Sequence, residues 1–436
     1  MRLRPGLIII IGFLIFVLAG AVLLALPISS SSGSATNFLD ACFTACSASC
    51  VTGLATLDTG SHFSLAGLIV ILIMIQLGGL GYMTLSTFIV LVFRQKLFIP
   101  EKLSFEETLN LYSPHDVLLV MRRMLGLVLI AEGAGALVLF LRWLPELGPR
   151  TALLYGLFHS ISAFNNAGFV LTPHFASLRP YAADWTINLT ITTLSLIGGL
   201  GFLLIADVLK GKRLTLHSKV TLFVTAILIV GGTLCFFALE RHNPGTIGTF
   251  PLPNKILASY VQTVTPRTAG FSTIDTSKLF PATALFTMLL MFIGAGAGGT
   301  GGGLKVSTLA VIGATIWATL RGFRNTIIYN RRVPVEIVRR AVVITFLSMA
   351  AVAVAFFVLC EVEKAPVMAL AFETFSAFSN VGLTMGLTPY LSSAGKITLI
   401  VVMFVGRVGA LTLLLALMMD QKEPRIEPPK EGISIG

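Results

Sequence analysis

With 436 residues, 55% of them hydrophobic and only 12% charged, the chain lacks the polar residues to cover a water-borne surface, where roughly a quarter would be charged. That composition excludes a soluble multidomain enzyme and points to an all-α polytopic membrane protein. A net charge of +11 needs no nucleic-acid partner, since an excess of Lys and Arg on one side of a bilayer accounts for it.

Eight apolar runs are long enough to cross a bilayer: residues 7–26, 65–93, 117–141, 186–206, 216–239, 282–320 with an interruption, 342–360 and 397–419. Arg2 and Arg4 ahead of the first run imitate a signal peptide, but its length fits an uncleaved span better. Four shorter apolar runs, 38–49, 152–164, 255–264 and 369–378, are too short to cross and read as re-entrant pore helices. The expected fold is four parallel helix, pore-loop, helix repeats, with eight transmembrane helices and four re-entrant pore helices around a single central pore. The repeats divide at 1–95, 96–213, 214–333 (with an intramembrane gate loop) and 334–420, followed by a cytoplasmic tail, 421–436. Twenty of the 31 basic residues fall on one side under this threading, eight on the other, and Arg267, Lys305 and Arg407 at membrane depth. The expectation is therefore a multi-pass protein with both termini cytoplasmic and the pore loops dipping in from outside.

Each short run closes on small or β-branched residues and a glycine. In chain order these are Val51-Thr52-Gly53, Asn166-Ala167-Gly168, Thr268-Ala269-Gly270 and Asn380-Val381-Gly382. One such glycine would be an ordinary turn, but four in the same apolar frame suggest dehydration of a small cation. A carbonyl filter replaces the ion's water shell, and aligning successive carbonyls needs a residue tolerant of positive φ. A short helix ending at each loop adds partial negative charge where the cation would sit.

In the first two repeats a glycine cluster follows the loop, Gly78-Gly79-Leu80-Gly81 and Gly198-Gly199-Leu200-Gly201, and reads as close helix packing. Cys42, Cys46 and Cys50 recur on one helical face without histidine or a second cysteine pair, and are expected to be small packed thiols. The stretches 94–123, 210–219 and 321–340, with the tail, are the cytoplasmic surface open to a regulator. The second span of the third repeat is broken by a run containing Gly294, Gly296, Gly298, Gly299, Gly301, Gly302 and Gly303, where a helix would lose about 1 kcal/mol per Gly relative to Ala. It ends in Gly-Leu-Lys, not Gly-Lys-Ser, and no strand precedes it, so a gating flap beneath the filter fits better than a phosphate loop. Arg407, alone in the last apolar span, faces a cavity or pairs with a carboxylate such as Glu373.

Four helix, loop, helix units with one glycine per loop, the glycine-rich interruption and the late arginine together resemble the Trk/Ktr/HKT superfamily of potassium transporters over nearly the whole chain. Eight spans with no extra N-terminal pair look more like its KtrB branch than its longer TrkH branch. By that resemblance the twelve loop residues above form a potassium filter, the Gly294 to Gly303 run a gate, and Arg407 a pore-facing arginine. It further implies channel-like potassium uptake across the plasma (inner) membrane and a homodimer in membrane lipid. A cytosolic, KtrA-like regulatory ring would carry the nucleotide, and this chain would hold no cofactor, potassium being its substrate. Sodium-selective plant relatives carry Ser at the first filter position, so Gly53 points to potassium.

A different class, an alternating-access cation symporter, would use the membrane carboxylates Glu132, Asp207 and Glu373, but the repeats are parallel, not inverted. The six histidines are scattered singly, so no catalytic constellation stands out and an enzyme is not expected.

Overall fold

The structure, a computed structural model, describes residues 5–80, 114–209 and 214–409. The ends of the second and last apolar runs, residues 94–113 of the first cytoplasmic stretch, residues 210–213 and the tail fall outside those residues. Helices begin where a side chain accepts from an orphan N–H. Asn37 caps α2 (Phe38–Cys50), which follows α1 (Pro5–Ala25), and Ser64 caps α3 (Leu65–Gly79). Asp184 caps α5 (Trp185–Leu200), and Thr215 caps α7 (Leu216–Glu240), which follows the short α6 (Phe202–Leu209). Proline sets the first turn or cap of α8 (Leu252–Val264), α9 (Pro281–Phe292), α11 (Val335–Val362) and α12 (Val367–Ser379), where its missing N–H costs nothing. After α9 come α10 (Val306–Leu320) and a two-stranded hairpin, β1 (Ile327–Ile328) and β2 (Arg331–Arg332); Ser392 caps the last described helix, α13 (Ser393–Val408).

α4 (Pro114–Phe164) is two helices. Gly148 has φ 72 and ψ 168, with Pro145 and Pro149 beside it, so the helix cannot run through. Ser160 Oγ donates to the Glu132 carbonyl at 2.6 Å, whereas 28 residues of straight helix would span about 42 Å. The chain therefore reverses at Gly148, and Trp143 packs on His159 with ring centroids 4.9 Å apart. The expected second span of the second repeat is likewise not continuous: Gly201, at φ 92, separates α5 from α6. A Cβ there would strike the Ala297 carbonyl oxygen, so the break makes room for the glycine-rich segment.

Burial is arranged inside out compared with a water-soluble bundle. The short elements are central: Phe43, Phe158, Phe164 and Phe372 are fully buried. The long helices instead expose their apolar side chains, as at Phe346 (72%) and Leu234 (65%). Among the described residues α7, α11 and the stretch 125–164 are long and apolar enough to cross a membrane. Lipid is as apolar as leucine, so such helices are held by close backbone approach and polar contacts. Gly78 lies against the Ser49 backbone, Gly198 against Phe164 and Gly406 against Phe378. Each partner sits four residues before a loop glycine, so three helices seat the same last turn of three short helices in the same way. A 2.6 Å ion pair between Asp40 on α2 and Lys396 on α13 joins the first unit to the last.

Candidate functional site

The four loops meet at one place. A Cβ on Gly53 would strike the Ala167 carbonyl, one on Gly168 would meet Gly270 and the Ala269 carbonyl, one on Gly270 the Val381 carbonyl, and one on Gly382 the Thr52 carbonyl. The order 53, 168, 270, 382 closes on itself, so all twelve loop residues singled out above are brought into one ring. Every ring glycine has positive φ: 90, 68, 79 and 91. So does the residue two before it: Val51 (59), Asn166 (60), Thr268 (76) and Asn380 (54). This alternation turns successive carbonyls to one side, which an ordinary strand, with side chains and carbonyls alternating, would not do. For Val51 the left-handed conformation is a strained choice that surrounding packing must hold, at a cost of order 1–3 kcal/mol.

Helix ends and hydroxyl groups hold the loops. Val51 N donates to Ala48 O, Thr52 N to Ser47 O at 2.8 Å, Ala167 N to Ser162 O at 2.7 Å and Val381 N to Ser376 O at 2.9 Å, satisfying helix C-terminal carbonyls. The same serines act a second time through their side chains. Ser47 Oγ accepts from Gly53 N (3.0 Å), Ser376 Oγ accepts from Gly382 N (3.1 Å), and Ser162 Oγ donates to Phe169 O (2.8 Å). Thr265 does the equivalent in the third loop, donating to Phe271 O at 2.5 Å. Ser six residues before the glycine in three loops is a signal the sequence carried and the reading above missed. With the N–H groups engaged outward, the carbonyls of Thr52, Ala167, Ala269 and Val381 accept no hydrogen bond among the described residues. These are the four carbonyls against which the ring glycines pack, and the C-terminal ends of α2, α4, α8 and α12 lead into them.

Side chains join the loops to one another. Asn380 Nδ2 donates to Thr52 Oγ1 at 2.8 Å and to Met403 O at 3.1 Å, and Asn166 Nδ2 donates to Thr300 Oγ1 at 2.8 Å. Thr300 belongs to the glycine-rich run, and that run is no loose flap. Gly294 N donates to Leu304 O, Gly296 N to Gly199 O and Thr300 N to Gly198 O, while Gly302 packs on Ser379 and Asn380. The segment 294–303 thus crosses beneath the ring, touching the second, third and fourth loops. Gly298 and Gly303 take positive φ there, which a side chain would oppose.

Arg407 does not pair with Glu373. Its guanidinium donates to the carbonyls of Thr300 and Gly78, tying α13 to the crossing segment and to α3. Lys305 Nζ donates to Gly301 O at 2.6 Å, placing a second positive group against the same segment. Arg267, buried beside the third loop, donates to Thr225 Oγ1 at 3.3 Å. Glu373 accepts from Thr388 Oγ1 (2.8 Å), from Met385 N and from Thr384, bracing the chain after the fourth loop. Glu132 accepts from Gln76 Nε2 (3.1 Å) and Asn165 Nδ2 (3.0 Å), and Asp207 from Thr215 and Ser218 hydroxyls, both at 2.6 Å. The three membrane carboxylates are therefore apart, each in its own fixed network. Cys46 and Cys50 are buried with their sulfurs 3.8 Å apart, and Cys46 Sγ donates to Ile400 O.

A mostly helical, lipid-facing scaffold that gathers four loops and their free carbonyls at one point defines a membrane transporter of cations. Residues 7–426 match the TrkH family, described as "Cation transport protein", and the chain belongs to it. Its relatives include Ktr system potassium uptake protein B of Bacillus subtilis (strain 168), 43% identical over 95% of this chain and 93% of the relative. The protein of the same name from Vibrio alginolyticus is 41% identical over 98% and 94%. Potassium/sodium uptake protein NtpJ of Enterococcus hirae is 37% identical over 100% and 98%. The crystal structure of the potassium transporter TrkH from Vibrio parahaemolyticus superposes with a TM-score of 0.75 at 20% identity, covering 95% of this chain and 84% of that one. At that identity the likeness speaks for the fold.

Proposed function

We propose that the chain is the pore of a channel-like potassium uptake system in the plasma membrane. Potassium sheds its water onto the ring of carbonyls from residues 51–53, 166–168, 268–270 and 380–382, which act as the selectivity filter. The observation that carries this reading is the closed cycle of four glycines packed against four carbonyls without another partner. A cation is the group that satisfies inward-facing oxygens at membrane depth, and four helix C-termini add to the attraction. Segment 294–303 and Arg407, lying across the path below the ring, form the closed gate. A cytosolic nucleotide-binding ring controls it, in a complex built on a homodimer of this chain. The names of the Bacillus and Vibrio relatives, potassium uptake proteins of a Ktr system, support the ion and the existence of further components. The Enterococcus relative's name includes sodium, so selectivity is the property to measure.

Rubidium and potassium uptake into liposomes holding only this chain tests the proposal. Downhill flux is expected with no gradient of a second ion, with rubidium near potassium and sodium well below both. Flux that appears only when a sodium or proton gradient is imposed would overturn the channel reading in favour of a symporter working through Glu132 or Glu373.

A further inference from the structure

The segment joining α10 to α11 was expected only as cytoplasmic surface open to a regulator, and it is not built like a solvated linker. If Lys305, against the crossing segment, sits near the bilayer midplane, about 1.5 Å per residue would bring α10 to the edge of a ~30 Å hydrocarbon core roughly ten residues on, close to Thr315. The chain turns at Gly322, φ 71, and then doubles back. Thr326 Oγ1 lies 3.1 Å from Thr315 Oγ1, and Val333 N donates to Thr326 O at 2.9 Å. Ile327 pairs with Arg332 and Ile328 with Arg331 across a two-residue turn in which Tyr329 and Asn330 both have positive φ, 48 and 58. The hairpin therefore lies alongside the bilayer at headgroup depth instead of extending into the cytosol.

Its exposed face is mixed in a particular way. Trp317, Leu320, Phe323, Ile327 and Tyr329 are between 54% and 78% exposed, which water alone would not favour but the bilayer interface does. Around them stand Arg321, Arg324, Arg331, Arg332, Arg339 and Arg340, with Glu336 the one acidic residue between 317 and 340. Arg321 lies over the Trp317 ring at 4.4 Å, and among the described residues none of the six arginines pairs with a carboxylate.

We infer that residues 317–340 form a binding surface for anionic phospholipid headgroups. The arginines take lipid phosphates while the aromatic and aliphatic side chains sit among the glycerol and upper acyl groups. A water-soluble partner would have to cover these apolar side chains at a depth the bilayer already fills, so lipid is the better occupant. The inference needs the chain to be inserted in a membrane with Lys305 near its midplane, and does not depend on the filter or gate assignment.

The test uses the full chain in detergent, titrated with phosphatidylglycerol or phosphatidylcholine, with melting temperature and lipid retention in native mass spectrometry as readouts. Phosphatidylglycerol is expected to raise the melting temperature and to be retained, and phosphatidylcholine is not. The double variant Arg331→Gln/Arg332→Gln, on an exposed strand, is expected to melt like the wild type without lipid and to bind phosphatidylglycerol roughly thirtyfold more weakly. A second pair, Arg339→Gln/Arg340→Gln on α11, should show the same loss and guards against a local hairpin defect. An equal response to both lipids, or an undiminished phosphatidylglycerol response in both variants, overturns the inference. Should the variants keep that response and instead lose a cytosolic protein partner, the surface belongs to the partner and the lipid assignment is wrong.

Discussion

Gly53→Ser perturbs the ring at one point with a calculable load. Gly53 sits at φ 90, outside the region that L-residues favour, so a side chain costs about 1–2 kcal/mol in backbone strain alone. Its Cβ would land on the Ala167 carbonyl oxygen and 3.0 Å from Gly168 Cα, so the second loop must withdraw by close to 1 Å or lose about 1–3 kcal/mol to overpacking. If that displacement erodes the preference for potassium over sodium by only about 2 kcal/mol, the permeability ratio falls roughly thirtyfold. Reversal potentials in potassium/sodium bi-ionic conditions, with purified protein in planar bilayers, measure that ratio directly. Gly386→Ala is the matched control: its φ of 87 imposes the same strain, but no atom lies within 4 Å of the added carbon. It should lower the melting temperature and leave selectivity alone. A Gly53→Ser protein with an unchanged ratio would refute the assignment of the first loop, and a Gly386→Ala protein with a collapsed ratio would show that strain, not the carbonyl contact, controls selectivity.

Other consequences follow from the same geometry. Arg407→Ala removes a charge which, about 7 Å from a passing cation at an effective dielectric near 20, raises its energy by roughly 2 kcal/mol; maximal potassium flux should rise by about tenfold or more with little change in selectivity. Because Glu373 is braced by Thr384 and Thr388 instead, its network should survive that change, and a loss of several kcal/mol in stability would contradict it. Thr300→Val removes the hydroxyl that accepts from Asn166, so flux should rise while stability drops by about 1–3 kcal/mol, read from flux assays and denaturation together. Shortening 294–303 should raise flux with the potassium/sodium ratio intact; a folded variant without flux would make the segment structural. On the loop side, burial lowers the His62 pKa from 6.5, opposed by Asp40, while its Nε2 meets Thr36 Oγ1 at 3.0 Å. The unfolded chain then binds the proton more readily, so stability is fully present above about pH 6.5 and falls as pH drops below it. A melting temperature that declines below pH 6.5 in the wild type and less steeply in His62→Gln checks this.

Much of the ring was legible because its requirement is local. Positive φ favours glycine, and four glycines at the ends of four short apolar runs announce themselves. The hydroxyls at Ser47, Ser162 and Ser376 were just as legible, at a constant offset, but serine in an apolar helix is common enough to pass unnoticed. Val51 was not legible in its left-handed conformation, since a β-branched residue opposes it and only the surrounding packing imposes it. The reversal at Gly148 was flagged by two prolines, whereas the break at Gly201 was hidden in a run that looks like one span. Least visible were the partners of Arg407, because backbone carbonyls of Thr300 and Gly78 leave no trace in side-chain identity.

Those carbonyl partners bear on how the proposed gate and filter could be separate devices in so small a space. Thr300 is held by Asn166 from the second loop, by Gly198 from α5 and by Arg407 from α13, while Gly302 rests on Asn380 of the fourth loop. Segment 294–303, the gate in the reading proposed above, is thus hydrogen-bonded to the second loop and packed against the third and fourth. Moving it aside strips Asn166 of one partner and opens space beside Asn380, whose other bond to Thr52 joins the fourth loop to the first. Helix-end carbonyls hold Ala167 N and Val381 N, Ser376 Oγ accepts from Gly382 N and Ser162 Oγ donates to Phe169 O, all without help from the segment, so the carbonyl ring should keep its shape if the segment leaves. Side-chain bonds connect the segment to the ring, and backbone bonds hold the ring's shape. If the segment is the gate proposed above, that division would let the path open without dissolving its selectivity, and it would place the cost of opening on Asn166, Thr300 and Arg407.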